Sequence, residues 1–389
     1  MLSLSELPMP RTNEAGGREV GVDAAGERRR FGAHIAGYRV IAKIGSGGMG
    51  EVYLGIDDDT GATVAIKTLL PRYADDQGLV ARFFAEAEAA ARIEHAGTVK
   101  VIAHGYCDDQ RAYLVMEYLK GESLRDRLAR ERCITIGAAV EIARQAALAL
   151  ASVHKCGIIH RDIKPGNIYL CAADAGADSG DDRGAPHRQA IAERQRVKIF
   201  DFGVAKLLDM PLSAEMATPI GLLMGTPAYM SPEQCTRADE VDHRTDLYAL
   251  GCVLYTMLCG RPPFVGSRIA RVISSHLSSV PLAPRVLRPS VPAELERIVL
   301  RLLAKQPADR YQSGDELAAA LSEVSAALPA AVCEYGDEPR ACERGMAASR
   351  AEDETLTLTV TARRDCSVAM RATMPASPLA MSTTETTAA

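Results

Sequence analysis

Surplus positive charge is the first thing this chain lacks. Across 389 residues, 45 Lys and Arg face 50 Asp and Glu, a formal net charge of −5, with a pI near 6.0. That balance disfavours a general nucleic-acid or membrane-surface role. Arg28-Arg29-Arg30 is a short basic run and reads as a solvated linker. The ten cysteines include no Cys-x-x-Cys pair and no His-rich neighbour spacing, which excludes the usual zinc and thioredoxin-like patterns. Cys156, Cys252 and Cys259 fall in segments expected to be helical, where the expectation is that they behave as small buried apolar groups. No run of ~18 or more uncharged apolar residues occurs, so no membrane span is expected. Met1 to Glu6 lack the basic start and apolar run of a secretory signal. No Gly-x-Ser-x-Gly elbow is present, which removes the acyl-transfer reading, and there is no internal repeat. The expectation is a chain in a reducing cytoplasm.

What is there begins with His160-Arg161-Asp162-Ile163-Lys164-Pro165-Gly166-Asn167. A carboxylate, an ammonium and an amide stand at i, i+2 and i+5 on one short loop. Phosphoryl transfer needs those groups together: a base for the attacking hydroxyl, a cation beside the transferred group, and a neutral oxygen for a Mg²⁺ shell.

Upstream, Ile44-Gly45-Ser46-Gly47-Gly48-Met49-Gly50-Glu51-Val52 reads as Gly-x-Gly-x-x-Gly-x-Val. Its flanks, Tyr38 to Ile41 and Val52 to Leu54, are β-branched and aromatic, so they predict two strands of a hairpin. Glycines there let backbone N–H groups approach phosphate oxygens. A dinucleotide fingerprint would need a helix after the loop, and this context is strand–loop–strand. Val64-Ala65-Ile66-Lys67 predicts a short strand ending in a lysine. The spacing then predicts a helix from about Gly78 to Glu94, carrying Glu86 and Glu88. Tyr113 to Met116 reads as a buried strand running into Glu117-Tyr118-Leu119, and Val197 to Gly203 as a strand ending in Asp201-Phe202-Gly203. Asp246 to Gly260 is apolar all round. It is too short for a bilayer, so it predicts a central buried helix.

In this order the motifs resemble the protein kinase family, and Lys164-Pro165 resembles its serine/threonine branch. The glycine loop and Gly225-Thr226-Pro227-Ala228-Tyr229-Met230-Ser231-Pro232-Glu233 bring the resemblance closest to the bacterial serine/threonine kinases. It covers roughly three quarters of the chain.

The resemblance implies a bilobal α+β fold: an antiparallel-sheet lobe with one helix (about Tyr38 to Val115) and a mainly helical lobe (about Gly121 to Leu328). ATP with Mg²⁺ would lie between them, under Ile44 to Val52. It makes Lys67 the ligand of the α- and β-phosphates and Glu86, in register from His95, its carboxylate partner ahead of Glu88. It makes Glu117 and Leu119 the segment that bonds adenine, with Met116 behind. Glu122 is a further candidate for ribose or a basic substrate group. Asp162 would be the base, Lys164 the γ-phosphate cation, and Asn167 with Asp201 the metal ligands. Asp246 would brace the catalytic loop, and Glu233 would pair with Arg310. Arg161 would read a phosphate on the segment Asp201 to Glu233, with Thr218 first and Ser213 second as acceptor and Thr226 structural.

The chain also departs from the family pattern. Ala96-Gly97 replace a frequent His-Pro-Asn, and Ser231 stands where many kinases carry alanine. Residues 172–195, rich in Ala, Gly and Asp, intervene where the family crosses in a tight hairpin; they read as a flexible excursion. Residues 1–37 read as a flexible extension, 38–328 as the kinase domain and 329–389 as a low-complexity tail. Thr355 to Val360 alternates at period two, too little for a stable strand alone. The insertion and the tail are candidate partner-binding segments. The expected activity is phosphoryl transfer from ATP to Ser/Thr of proteins. The rivals are a pseudokinase scaffold, which would have lost Lys67, Asp162 or Asp201, and a small-molecule phosphotransferase, which would lack the Gly225–Glu233 segment.

Overall fold

A computed structural model describes residues 34–172, 195–201, 227–236 and 241–328. The chain divides into two compact units. The first runs to Ala87 and resumes over Lys100–Tyr118; the second holds Glu88–Val99 and the residues from Leu119 onward.

The first unit is a six-stranded antiparallel sheet with one helix. Its strands are β1 (His34–Ile35), β2 (Tyr38–Ser46), β3 (Gly50–Asp57), β4 (Thr63–Leu69), β5 (Val101–Tyr106) and β6 (Ala112–Glu117), in spatial order β1-β2-β3-β4-β6-β5. One face closes over Ile35, Val40, Tyr53, Val64, Ile66 and Val115. On helix α1 (Gln77–Ala91), Leu79, Val80 and Phe83 bury against Leu69 and Ala112. The sheet begins before the expected boundary at Tyr38, because Ile35 pairs with Tyr38 and is buried. Helix α1 stops at Ala91, three residues short of the expected Glu94.

The second unit is mainly helical. A three-stranded sheet, β7 (Gly121–Ser123), β8 (Ile168–Ala172) and β9 (Gln195–Ile199), packs beside α2 (Leu124–Glu131) and α3 (Ile136–Lys155). Then come α4 (Pro232–Thr236), α5 (Arg244–Cys259), α6 (Ile269–Ser278), α7 (Pro284–Leu287), α8 (Ala293–Leu302) and α9 (Gly314–Ala327). Every residue of α5 from Thr245 to Cys259 is buried, as its all-round apolarity requires. Gly260, at φ 71°, ends the helix in the left-handed conformation that suits glycine.

Helix α3 has the length and hydropathy of a membrane span. Eleven of its residues, Ile136 to Val153, bury in the core of this unit against α5, α9 and β9, so packing accounts for its apolarity. Residues 88–99, expected with the small lobe, belong here because Thr98 bridges Ile199 in parallel and Val99 N–H donates to Ile199 O at 3.0 Å.

The insertion springs from a strand end. Ala172 pairs directly with Gln195, so residues 173–194 leave and re-enter at one point of the β8–β9 ladder. Those residues, like 1–33, 202–226, 237–240 and 329–389, lie outside the described ones.

Candidate active site

The loop from His160 to Asn167 in the second unit is shaped from below by one buried carboxylate. Asp246, in the first turn of α5, accepts His160 N–H at 2.8 Å, Arg161 N–H at 2.7 Å and His154 Nε2–H at 2.8 Å. Burial alone would push its pKa up; the hydrogen bonds from His154 and from the His160 backbone N–H outweigh that and hold it below the usual carboxylate value. The reward is local geometry. Arg161 sits at φ 63°, a left-handed conformation that costs an L-residue with a Cβ, and the two backbone bonds to Asp246 keep it there.

His160 is fully buried, and burial lowers its pKa, so the ring is neutral. Its Nε2–H donates to Phe200 O at 3.1 Å, which leaves Nδ1 to accept Asp162 N–H at 3.2 Å. Asp162 is then fixed by its own loop. Lys164 Nζ donates to Asp162 Oδ2 at 2.7 Å, and Asn167 Nδ2 donates to the same oxygen at 3.1 Å and to Asp162 O at 2.9 Å. The spacing read from the sequence therefore converges on a single carboxylate.

With its amide nitrogen committed to Asp162, Asn167 is left with Oδ1 as a hard neutral acceptor. Phe200 N–H donates to Asn167 O at 3.2 Å, which ties the loop to the end of β9, where Asp201 follows at φ 57°. No group of three or more His, Cys, Asp or Glu able to hold a metal occurs among the described residues. Mg²⁺ does not require one, since it keeps several waters and takes few protein oxygens. One carboxylate and one amide oxygen fit it.

In the first unit, the turn between β2 and β3 is closed by Gly47 N–H donating to Gly50 O at 2.8 Å. Gly50 is demanded by packing: a Cβ there would lie 2.5 Å from Thr68 O. Gly47 and Gly48 are not, for a Cβ on either would meet nothing within 4 Å. Packing leaves those two unexplained, whereas close approach of a ligand to the backbone would account for them. Ile44 is exposed, while Gly45, Ser46 and Val52 continue the strand pair and Met49 packs toward α1's apolar cluster. Glu51 turns inward, binding Lys43 and, at 2.5 Å, Tyr53 Oη–H. Its burial is outweighed by those bonds, so its pKa lies below the ordinary one. Its side chain is a brace within the sheet, and only its backbone is left to face a phosphate.

Lys67 stands on β4 between Val52 of β3 and Leu114 of β6, half-buried. On α1, Glu86 is half-buried and Glu88 exposed. Met116 pairs with Ala65 and Val101 inside the sheet. Glu117 N–H donates to Lys100 O at 3.0 Å, and its carboxylate accepts Lys100 N–H at 2.7 Å. Leu119, half-buried, is the first residue of the second unit's main stretch. Glu122 is already engaged. Arg127 Nε and Arg130 Nη1 bond it at 2.6 and 2.5 Å, and the Arg130 bond, against a smaller burial cost, pulls its pKa down to about 2. It fastens β7 to α2.

At the far end of the site, Glu233 and Arg310 form a bidentate pair at 2.6 and 2.8 Å. Ser231 Oγ meets Thr245 Oγ1 at 2.5 Å, and Gln234 Nε2 donates to Arg161 O at 2.9 Å. Sequence reasoning missed His154 and Gln234. A histidine near the end of an otherwise apolar helix was a signal for the first; nothing singled out the second. Phe202, Gly203, Ser213, Thr218, Gly225 and Thr226 lie outside the described residues.

Residues 38–321 match the protein kinase domain model. Two similar curated proteins are serine/threonine-protein kinase pkn3 of Myxococcus xanthus, 37% identical over 74% of this chain and 50% of its own length, and serine/threonine-protein kinase PknB of Mycobacterium tuberculosis, 37% identical over 74% of this chain and 42% of its own length. The chain thus spans half or less of those relatives. The crystal structure of the Mycobacterium tuberculosis PknI kinase domain is similar at TM-score 0.55 and 30% identity, over 75% of this chain and 98% of that one.

Proposed function

The chain belongs to the protein kinase domain family, and from that premise we propose that it is an ATP-dependent serine/threonine protein kinase. The observation that carries the reading is the triple fixation of Asp162, whose Oδ2 is held by Lys164 and Asn167 and whose N–H is held by His160. A Ser or Thr hydroxyl attacks the γ-phosphorus, Asp162 takes its proton, and the bond to the β-phosphate oxygen breaks to release ADP. Lys164, beside that carboxylate, steadies the transferred group, and Lys67 holds the α- and β-phosphates. Because the transition state is loose, positioning and charge do most of the work.

Mg²⁺, when bound, would offset charge on the phosphates, with Asn167 Oδ1 and Asp201 as its protein ligands. Adenine would bond the backbone of the segment Glu117 to Leu119. An ATP-consuming enzyme works where ATP is made, so the reading carries a cytoplasmic place for this domain and protein substrates in bacterial signalling. Self-phosphorylation at Thr218, with Ser213 second, would supply the phosphate that Arg161 reads. Partner binding falls to the 172–195 insertion or the tail.

The test is phosphosite mass spectrometry of the full chain after incubation with ATP and Mg²⁺, beside Asp162→Asn. Expected is ATP-dependent phosphate on Ser or Thr in wild type and a fall of about 10²-fold or more in the variant. Equal phosphorylation by the variant removes Asp162 from the reaction. Nucleotide binding without transfer by wild type would favour the pseudokinase reading.

A further inference from the structure

We propose that Gln234 is a positioning residue for the reaction, acting on Asp162 through the peptide bond that precedes it. The inference rests on the kinase reading above. Gln234 lies on α4, where its side-chain amide is used at both ends: Oε1 accepts Ser231 N–H at 3.0 Å, and Nε2 donates to Arg161 O at 2.9 Å. A carbonyl can only accept and an N–H can only donate, so these partners fix which end is which.

The peptide unit joining Arg161 to Asp162 is therefore held on both sides. Gln234 takes its oxygen, and His160 Nδ1 takes its N–H at 3.2 Å. Arg161 itself is the left-handed residue, and its own N–H goes to Asp246 Oδ1 at 2.7 Å. Three elements, α4, α5 and the loop, thus secure a backbone conformation that an unassisted arginine avoids. Rotating that peptide would swing the Asp162 carboxylate off the line to a hydroxyl, and a misplacement of about 1 Å costs on the order of 10²-fold in rate.

A glutamine serving only to cap its own turn would need just the Ser231 bond. The bond to Arg161 crosses to another element seventy-three positions away in sequence. The anchor beneath it is firm: Glu233, the preceding residue, is clamped by Arg310, and Ser231 is bonded to Thr245. Gln234 consequently ties the seating of the Ser231–Thr236 segment to the orientation of the base.

Two variants of the full chain separate the possibilities. Gln234→Glu keeps size and an acceptor for Ser231 N–H but loses the donor to Arg161 O; Gln234→Leu loses both. With casein as acceptor, kcat of Gln234→Glu is expected to fall about tenfold, with KM for ATP within about twofold of wild type. Hydrogen exchange should quicken in peptides covering residues 158–163 and stay unchanged over α8 and α9. The proposal is overturned if kcat of Gln234→Glu stays within twofold of wild type. It is equally overturned if kcat falls only together with faster exchange throughout the second unit. Should wild type transfer no phosphate, the kinase reading fails, while exchange over residues 158–163 still decides whether the clamp orders the loop.

Discussion

Arg310 reaches back seventy-seven positions to Glu233 and binds it through both terminal guanidinium nitrogens, with none of its side chain exposed to solvent. Its remaining N–H groups are met by Ala304 O, Lys305 O and Arg244 O, and its plane lies 4.8 Å from the Tyr248 ring centre. A buried ion pair is worthwhile only when its geometry is good and every other donor is satisfied. This one meets both conditions, and it fastens α4 to the segment before α9.

Removing one partner leaves the other charged and dry. Arg310→Met should destabilise the protein by about 3–5 kcal/mol, read as a drop in the denaturant midpoint. Arg310→Lys should recover little, because an ammonium cannot bond both carboxylate oxygens and three carbonyls at once. A lysine variant of wild-type stability would contradict this account of the pair.

Burial distinguishes Glu86 from Glu88 on α1. Glu86→Gln and Lys67→Met should each lower kcat/KM strongly, and the double variant should lose less than the two together, as the proposed pairing of these groups requires. Glu88→Gln should be close to wild type. Inactivation by Glu88→Gln alone would shift the register of this helix.

Acid should weaken the second unit through a buried histidine. His276 is fully buried and bonded through Nδ1 to Tyr248 Oη at 2.9 Å; burial first, and the Lys305 charge second, lower its pKa from 6.5 to about 4. The unfolded chain takes up this proton near pH 6.5, while the folded one resists until about pH 4. Stability from the neutral ring is therefore complete above pH 6.5 and is lost progressively down to pH 4, by about 3 kcal/mol in all. Chemical denaturation across that range should show the slope, and His276→Phe should flatten it. Equal slopes in both proteins would exclude His276 as the source.

Helix α9 packs on α3 without room for a side chain at its first residue. A Cβ on Gly314 would stand 2.2 Å from Ala147 O and 2.9 Å from Ala151 N, both backbone atoms of a buried helix. Gly314→Ala should cost about 2 kcal/mol or more, although alanine is the better helix former. A thermal melt unchanged by this substitution would show that α3 can move aside.

The sequence by itself determined most of the elements and the gathering of polar groups on one loop. Local rules suffice for those. The loop spacing that places Asp162, Lys164 and Asn167 together acts within a few residues, and an all-apolar segment such as Leu247 to Leu258 has nowhere to go but the interior. Asp246 and the Glu233–Arg310 pair were legible through family likeness, since no local rule links residues so far apart. Tertiary structure alone decided the rest. It turned Glu51 and Glu122 inward as braces, because each met a cation, Lys43 for one and Arg127 with Arg130 for the other, on neighbouring backbone. It moved residues 88–99 to the helical unit through pairing with Ile199. It also brought Gln234 to the carbonyl of Arg161. Which donor meets which acceptor depends on how helices and strands stack after they form, and sequence periodicity does not carry that information.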